Sequence, residues 1–168
     1  MDKYYYLITQ LPLLKFKEQT YLGRESFLTE AKKWLSEKDF AKLQEADIDD
    51  LAKKGRTSLL KKYKEFELNL RKELTAYRKN KKNKQEYQAG SSLEKKFLEG
   101  NPLEIEQKLF YHRWQQIEEL SQEHVFNLEA VIAYFLKLQV SEKISSFDKE
   151  KGTEKFDSLT EVEDAKTR

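Results

Sequence analysis

At 168 residues, with 37% charged and 38% apolar side chains, the chain is long enough for one domain that buries about two-thirds of its unfolded surface, and a 12% aromatic share argues against wholesale disorder. The absence of cysteine excludes disulfides and thiolate metal sites, and five Gly and two Pro are too few turn residues for a many-stranded sandwich or barrel. Net charge is only +2, yet the signs are segregated: residues 53–84 carry thirteen Lys or Arg against Glu65, Glu67 and Glu73, whereas 99–129 carry seven Glu against Lys108 and Arg113.

The opening Tyr4-Tyr5-Tyr6-Leu7-Ile8 fits a strand by composition. No partner strand is in sight, so a helical turn is the preferred reading, ending near Gln10 because Pro12 disfavours the α region at Leu11. A helix opening at Glu25 or Ser26 then aligns Phe27, Leu28, Ala31, Trp34 and Leu35. Ser36 and Asp39 resemble a capping box with Asp in the usual Glu position and start a helix through Phe40 and Leu43, so the two segments read as a helical hairpin.

Leu59, Tyr63, Phe66, Leu70, Leu74 and Tyr77 alternate by three and four, the strongest periodic signal in the chain. The spacing predicts a long helix after Gly55, capped by Thr57 or Ser58; about 25 residues would extend roughly 37 Å. Arg78, Lys79, Lys81, Lys82 and Lys84 suit its negative C-terminal end, and the Gln88-Ala89-Gly90-Ser91-Ser92 run reads as a turn or linker.

Asn101-Pro102-Leu103-Glu104 combines an N-cap, a Pro at the first helical position and a Glu three residues after the cap, ahead of an apolar face of Ile105, Leu109, Phe110, Trp114, Ile117 and Leu120. Asn127 caps the most apolar stretch, with Leu128, Val131, Ile132, Phe135, Leu136 and Leu138, expected to be the most buried element. Beyond Ile144 only Phe147, Phe156, Leu159 and Val162 are apolar anchors. The expected fold is all-α: an irregular helical bundle over residues 1–146 with one long central helix and helical hairpins, then a partly disordered tail over 147–168.

The chemistry of catalysis is sparse. His112 and His124 are the only histidines; twelve residues apart on a continuous helix they would diverge by about 120°, too far to share a metal. Adjacent pairs such as Glu118 and Glu119, or Asp49 and Asp50, read as solvated charge rather than an acid and base, and no glycine-rich phosphate loop is present. The expectation is a protein that is not an enzyme, with no cofactor and no small-molecule substrate. The first thirty residues lack a basic region followed by an apolar one, and no run approaches the roughly 18 apolar residues needed to cross a bilayer. The expected location is cytoplasmic, peripheral to a membrane only indirectly, as part of a complex.

The basic stretch with Tyr63, Phe66 and Tyr77 invites comparison with nucleic-acid binders. Those aromatics lie on the apolar stripe, so the lysines are left as a solvated face, and docking on an acidic protein surface is preferred over nucleic acid or anionic lipid.

Tyr4-Tyr5-Tyr6-Leu7-Ile8 followed by Leu11-Pro12-Leu14-Lys15-Phe16 resembles the start of an uncharacterised bacterial family encoded in V-type ATPase operons, and the Phe27-Leu28, Trp34-Leu35, Ser36 and Asp39 pattern is similar to that family's first hairpin. Asn127 to Lys137 with Glu142-Lys143-Ile144 is more loosely similar to the closing helix of the all-helical, funnel-shaped central-stalk component of V/A-type ATPases, which sits on the membrane rotor ring and receives the shaft. The resemblance implies a non-catalytic helical component or accessory protein of a V/A-type ATPase, a reduced element of the central stalk that couples rotor ring and shaft. Its expected partner contacts are Tyr4, Tyr5, Tyr6, Leu11 and Pro12 together with Lys61, Lys62, Arg78, Lys79, Lys81, Lys82 and Lys84. The alternative is a free-standing helical adaptor.

Overall fold

The computed structural model describes residues 3–18, 21–52, 55–84 and 93–147. Among them the chain runs α1 (Lys3–Gln10), α2 (Arg24–Trp34), α3 (Glu37–Gln44), α4 (Ser58–Lys82), a 3-10 turn at Lys95–Leu98, α5 (Pro102–Ser121) and α6 (Leu128–Ser145), with no strand among the described residues. The all-α bundle expected from periodicity is therefore present. The Gln88 to Ser92 linker and the tail beyond Phe147 lie outside the described residues.

Most helices begin where a short polar side chain can satisfy an orphan backbone N–H. The Ser36 hydroxyl accepts from Asp39 N–H, Thr57 from Leu60, and Asn127 from Ala130. Asn101 and Glu104 form a reciprocal capping box, with Pro102 opening the helix. Gly100 precedes it at φ +122, where a Cβ would meet the Glu104 carboxylate at 2.3 Å.

α2 departs from this scheme. It starts at Arg24, ahead of the expected Glu25 or Ser26, and its N-cap Gly23 has no side chain to offer. The Arg24 N–H donates instead to Glu142 of α6 at 2.7 Å. Glu129, also on α6, similarly accepts from Leu59 N–H at the start of α4. Two helix starts are thus completed from a third helix.

α6 is apolar almost all round and is the buried centre of the molecule, touching every other α-helix. Phe27 is fully buried and stacks on Tyr134 and Phe135 at 5.5 and 5.2 Å. α4 is the longest element but not the most enclosed. Its first half joins the main core through Leu59, Leu60 and Tyr63, while its second half holds a separate cluster of Leu70, Leu74, Leu93, Phe97, Leu98 and Leu109.

Polar groups inside the bundle knit the α3–α4 connection to the helices. Gln139 of α6 donates to Ala46 O at 2.6 Å and accepts from Ile48 N–H at 3.2 Å, which satisfies a buried loop backbone. Beside it Glu67, 1% exposed, takes a two-pronged bond from Arg113 at 2.8 and 2.9 Å and another from Arg71 at 2.9 Å. The basic segment is therefore not wholly a solvated face: Lys64 is buried, and Glu67 is the anion at the heart of a charged cluster.

Candidate functional site

Two surfaces stand out, built by different elements. The first is a row of aromatic rings. Tyr6 stacks on Trp34 with centroids 5.6 Å apart, Tyr5 meets Tyr6 edge-on at 5.8 Å, and Phe126 from the α5–α6 connection lies 4.9 Å from Tyr5. Tyr5 is 47% exposed, Phe126 41%, and the adjacent Val125 60%. Tyr6 and Trp34 are half-buried, and the Trp34 indole N–H donates to Glu30 at 3.0 Å.

The helix that carries this row is fastened by its neighbouring residues. Lys3 and the Tyr4 hydroxyl both donate to Asp39 Oδ2, at 2.8 and 2.9 Å, and the Ser36 hydroxyl adds a third bond at 2.8 Å. The bond from Lys3, reinforced by those from Ser36 and Tyr4 against the cost of burial, holds the Asp39 carboxyl well below its ordinary value of 3.8. Because the folded form is the stronger acid, the stabilisation is fully present above that ordinary value and is lost progressively as pH falls from it towards the depressed folded value. Asp39→Asn should therefore cost about 1–2 kcal/mol at neutral pH, and its thermal midpoint should begin to converge on that of the parent as pH falls below about 3.8, closing only towards the depressed folded value. A gap that stays constant into acid would remove Asp39 as the fastening charge.

The expected contact residues at this end divide by role. Tyr5 and Pro12 face outward, Tyr6 is half-exposed within the row, Tyr4 is committed to Asp39, and Leu11 packs against the core. The Pro12 carbonyl accepts from the Tyr134 hydroxyl at 2.9 Å, and burial pushes that phenol up to about 12.

The second surface is a groove of about 550 Å³ along the outward side of α4, walled by Leu51 and Gly55 and lined by Lys61, Lys64, Leu68 and Lys72. Gly55 is required at this wall because a Cβ there would meet Leu60 at 2.6 Å. Leu68 is 43% exposed, although it lies on a helix whose other leucines are buried. Lys61 and Lys72, eleven residues apart, fall on one line because that spacing is about three helical turns.

Lys79 continues the line, but Lys62 lies about 100° around the axis. The expected cations do not share a single face. Beyond Tyr77, Arg78, Lys79, Lys81, Lys82 and Lys84 are all exposed, with Lys81 over the Tyr77 ring at 5.9 Å.

The two histidines are not on one helix, contrary to the continuous helix assumed in separating them. His112 is on α5 between the Phe66 and Phe97 rings, whereas His124 lies in the connection to α6, 2.9 Å from Glu129. Asp49 and Asp50 are likewise in a loop, where Asp49 pairs with Lys143 at 2.6 Å.

Fold and surfaces together define an all-α protein whose exposed faces are an aromatic row and a cation-lined groove. Residues 91–164 are similar to a family described as a protein of unknown function (DUF2764), so this part of the chain matches an uncharacterised family. No curated protein and no solved structure matches the chain. Among the described residues no helix is long and apolar enough to cross a membrane.

Proposed function

We propose that this protein is a non-catalytic helical docking protein that binds a protein partner through the Trp34, Tyr6, Tyr5 and Phe126 row. The observation that carries the reading is the unbroken ring-to-ring contact of these four side chains on the surface. Tyr and Trp provide large, rigid contact area at low entropic cost, and anchors of this kind dominate binding energy at protein interfaces. The exposed cations near the C-terminus of α4 favour an acidic partner, raising the rate of encounter more than the final affinity.

For the partner we propose a component of a V/A-type ATPase, with this protein as an accessory or a reduced central-stalk element. The support is that the residues carrying the resemblance to the operon-encoded family, Tyr5 and Tyr6 above all, also supply half of the aromatic row. The test is co-purification with tagged ATPase components, using the parent and a Tyr5→Ala, Phe126→Ala variant. The parent is expected in the complex and the variant depleted by roughly tenfold or more. Absence of the parent from both the intact complex and its rotor subcomplex would eliminate the ATPase partner, and equal recovery of the variant would eliminate the aromatic row.

A further inference from the structure

The groove on α4 needs an occupant that is acidic along one edge and apolar along the other. Leu51 and the exposed Leu68 offer apolar contact, while among the described lining residues the exposed Lys61 and Lys72 outnumber the one carboxylate, Glu65. Lys61 and Lys72 make no ion pair with any described residue.

The chain itself contains a segment of matching chemistry. Residues 156–164 place Phe156, Leu159 and Val162 three apart among Asp157, Glu161, Glu163 and Asp164, with no Lys or Arg between them. The segment thus offers three regularly spaced apolar side chains among four carboxylates. The match to the uncharacterised family runs to residue 164, so this segment lies inside the matched region.

The last helix of the described chain is also tied to the loop that walls the groove. Near the C-terminus of α6, Lys143 grips both carboxylate oxygens of Asp49 at 2.6 Å, and Asp49 is two residues from the groove wall at Leu51. Phe147 follows just after the helix and packs against Phe110. The nine residues from Phe147 to Phe156 can span up to about 30 Å. A segment tethered this closely has an effective concentration in the millimolar range, so a weak seat suffices to hold it.

We propose that the acidic C-terminal segment 156–164 docks in cis on the α4 groove, its apolar residues against Leu51 and Leu68 and its carboxylates against Lys61 and Lys72. This is independent of the aromatic row and of the identity of its partner, since other elements form the groove.

The lack of native cysteine makes the test direct. In the full chain, Ser158→Cys is combined either with Asn69→Cys, which lines the groove, or with Gln115→Cys, an exposed control on α5. Under mild oxidation the groove pair is expected to form an intramolecular disulfide roughly tenfold or more faster than the control pair. Adding Lys61→Glu and Lys72→Glu should bring it down to the control rate, with helicity by circular dichroism unchanged. Equal rates for the groove and control pairs would overturn the proposal. So would cross-linking only into dimers, which would assign the groove to a second copy, or a preference that survives charge reversal.

Discussion

Glu67→Ala is expected to lower unfolding free energy by about 3–5 kcal/mol, the cost of leaving a buried charge without its counter-ion. The carboxylate is 1% exposed and is the anion for Arg113, whose side chain is only 13% exposed. Burial works against the Arg113 charge, yet the hydrogen bonds and charge of Glu67 hold its pKa above the ordinary guanidinium value. The alanine variant removes that compensation and retains the penalty. A double variant, Glu67→Met with Arg113→Met, should recover most of the loss, because apolar groups of similar volume have no charge to desolvate. Urea unfolding at constant m-value is the measurement. A shift below about 1 kcal/mol in the single variant would mean that water reaches the pair.

Phe27→Ala should cost a similar amount, about 3–5 kcal/mol, for a different reason. The ring is fully buried and lies against both Tyr134 and Phe135, so its removal forfeits transfer energy and leaves a cavity beside the central helix. α2 is short, has no side-chain cap of its own and takes the bond at its start from α6, the helix that also holds Phe27. Loss of near-ultraviolet circular dichroism at a lower denaturant concentration than in the parent is the expected readout. An unchanged midpoint would show that the neighbouring rings close the gap.

What the sequence made legible was what is local. Ser36, Thr57, Asn101 and Asn127 each cap the helix expected of them, because an N-cap is decided within three residues. The Leu59 to Tyr77 alternation located α4 because amphipathic burial repeats every turn. The start of α2 was misplaced because its cap is Glu142, 118 residues away in the chain. Lys64 reads in the sequence as one of a solvated face of lysines although it is buried, and the burial of Glu67 is not legible because charge alone does not disclose an opposing Arg113 on another helix.

The candidate surfaces were half visible for the same reason. Tyr5 and Tyr6 stood out by composition, but Trp34 read as core and Phe126 was assigned no role, as only the tertiary fold brings the rings together. A signal for Phe126 existed: Val125 and Phe126 sit just outside the helical stripes, immediately before the Asn127 cap. Leu68 carried the same kind of mark, a leucine out of phase with the α4 alternation, and the groove runs past it.

α6 has a mechanical consequence. Because one rod lies against α1, α2, α4 and the two remaining α-helices, the aromatic row and the lysine-lined trough are keyed to a common axle. Neither can slide without prising open the interior, and close-packed interiors resist that. The molecule therefore behaves as a gauge of fixed span, and whatever engages both surfaces at once must already have its own contact points set at that distance.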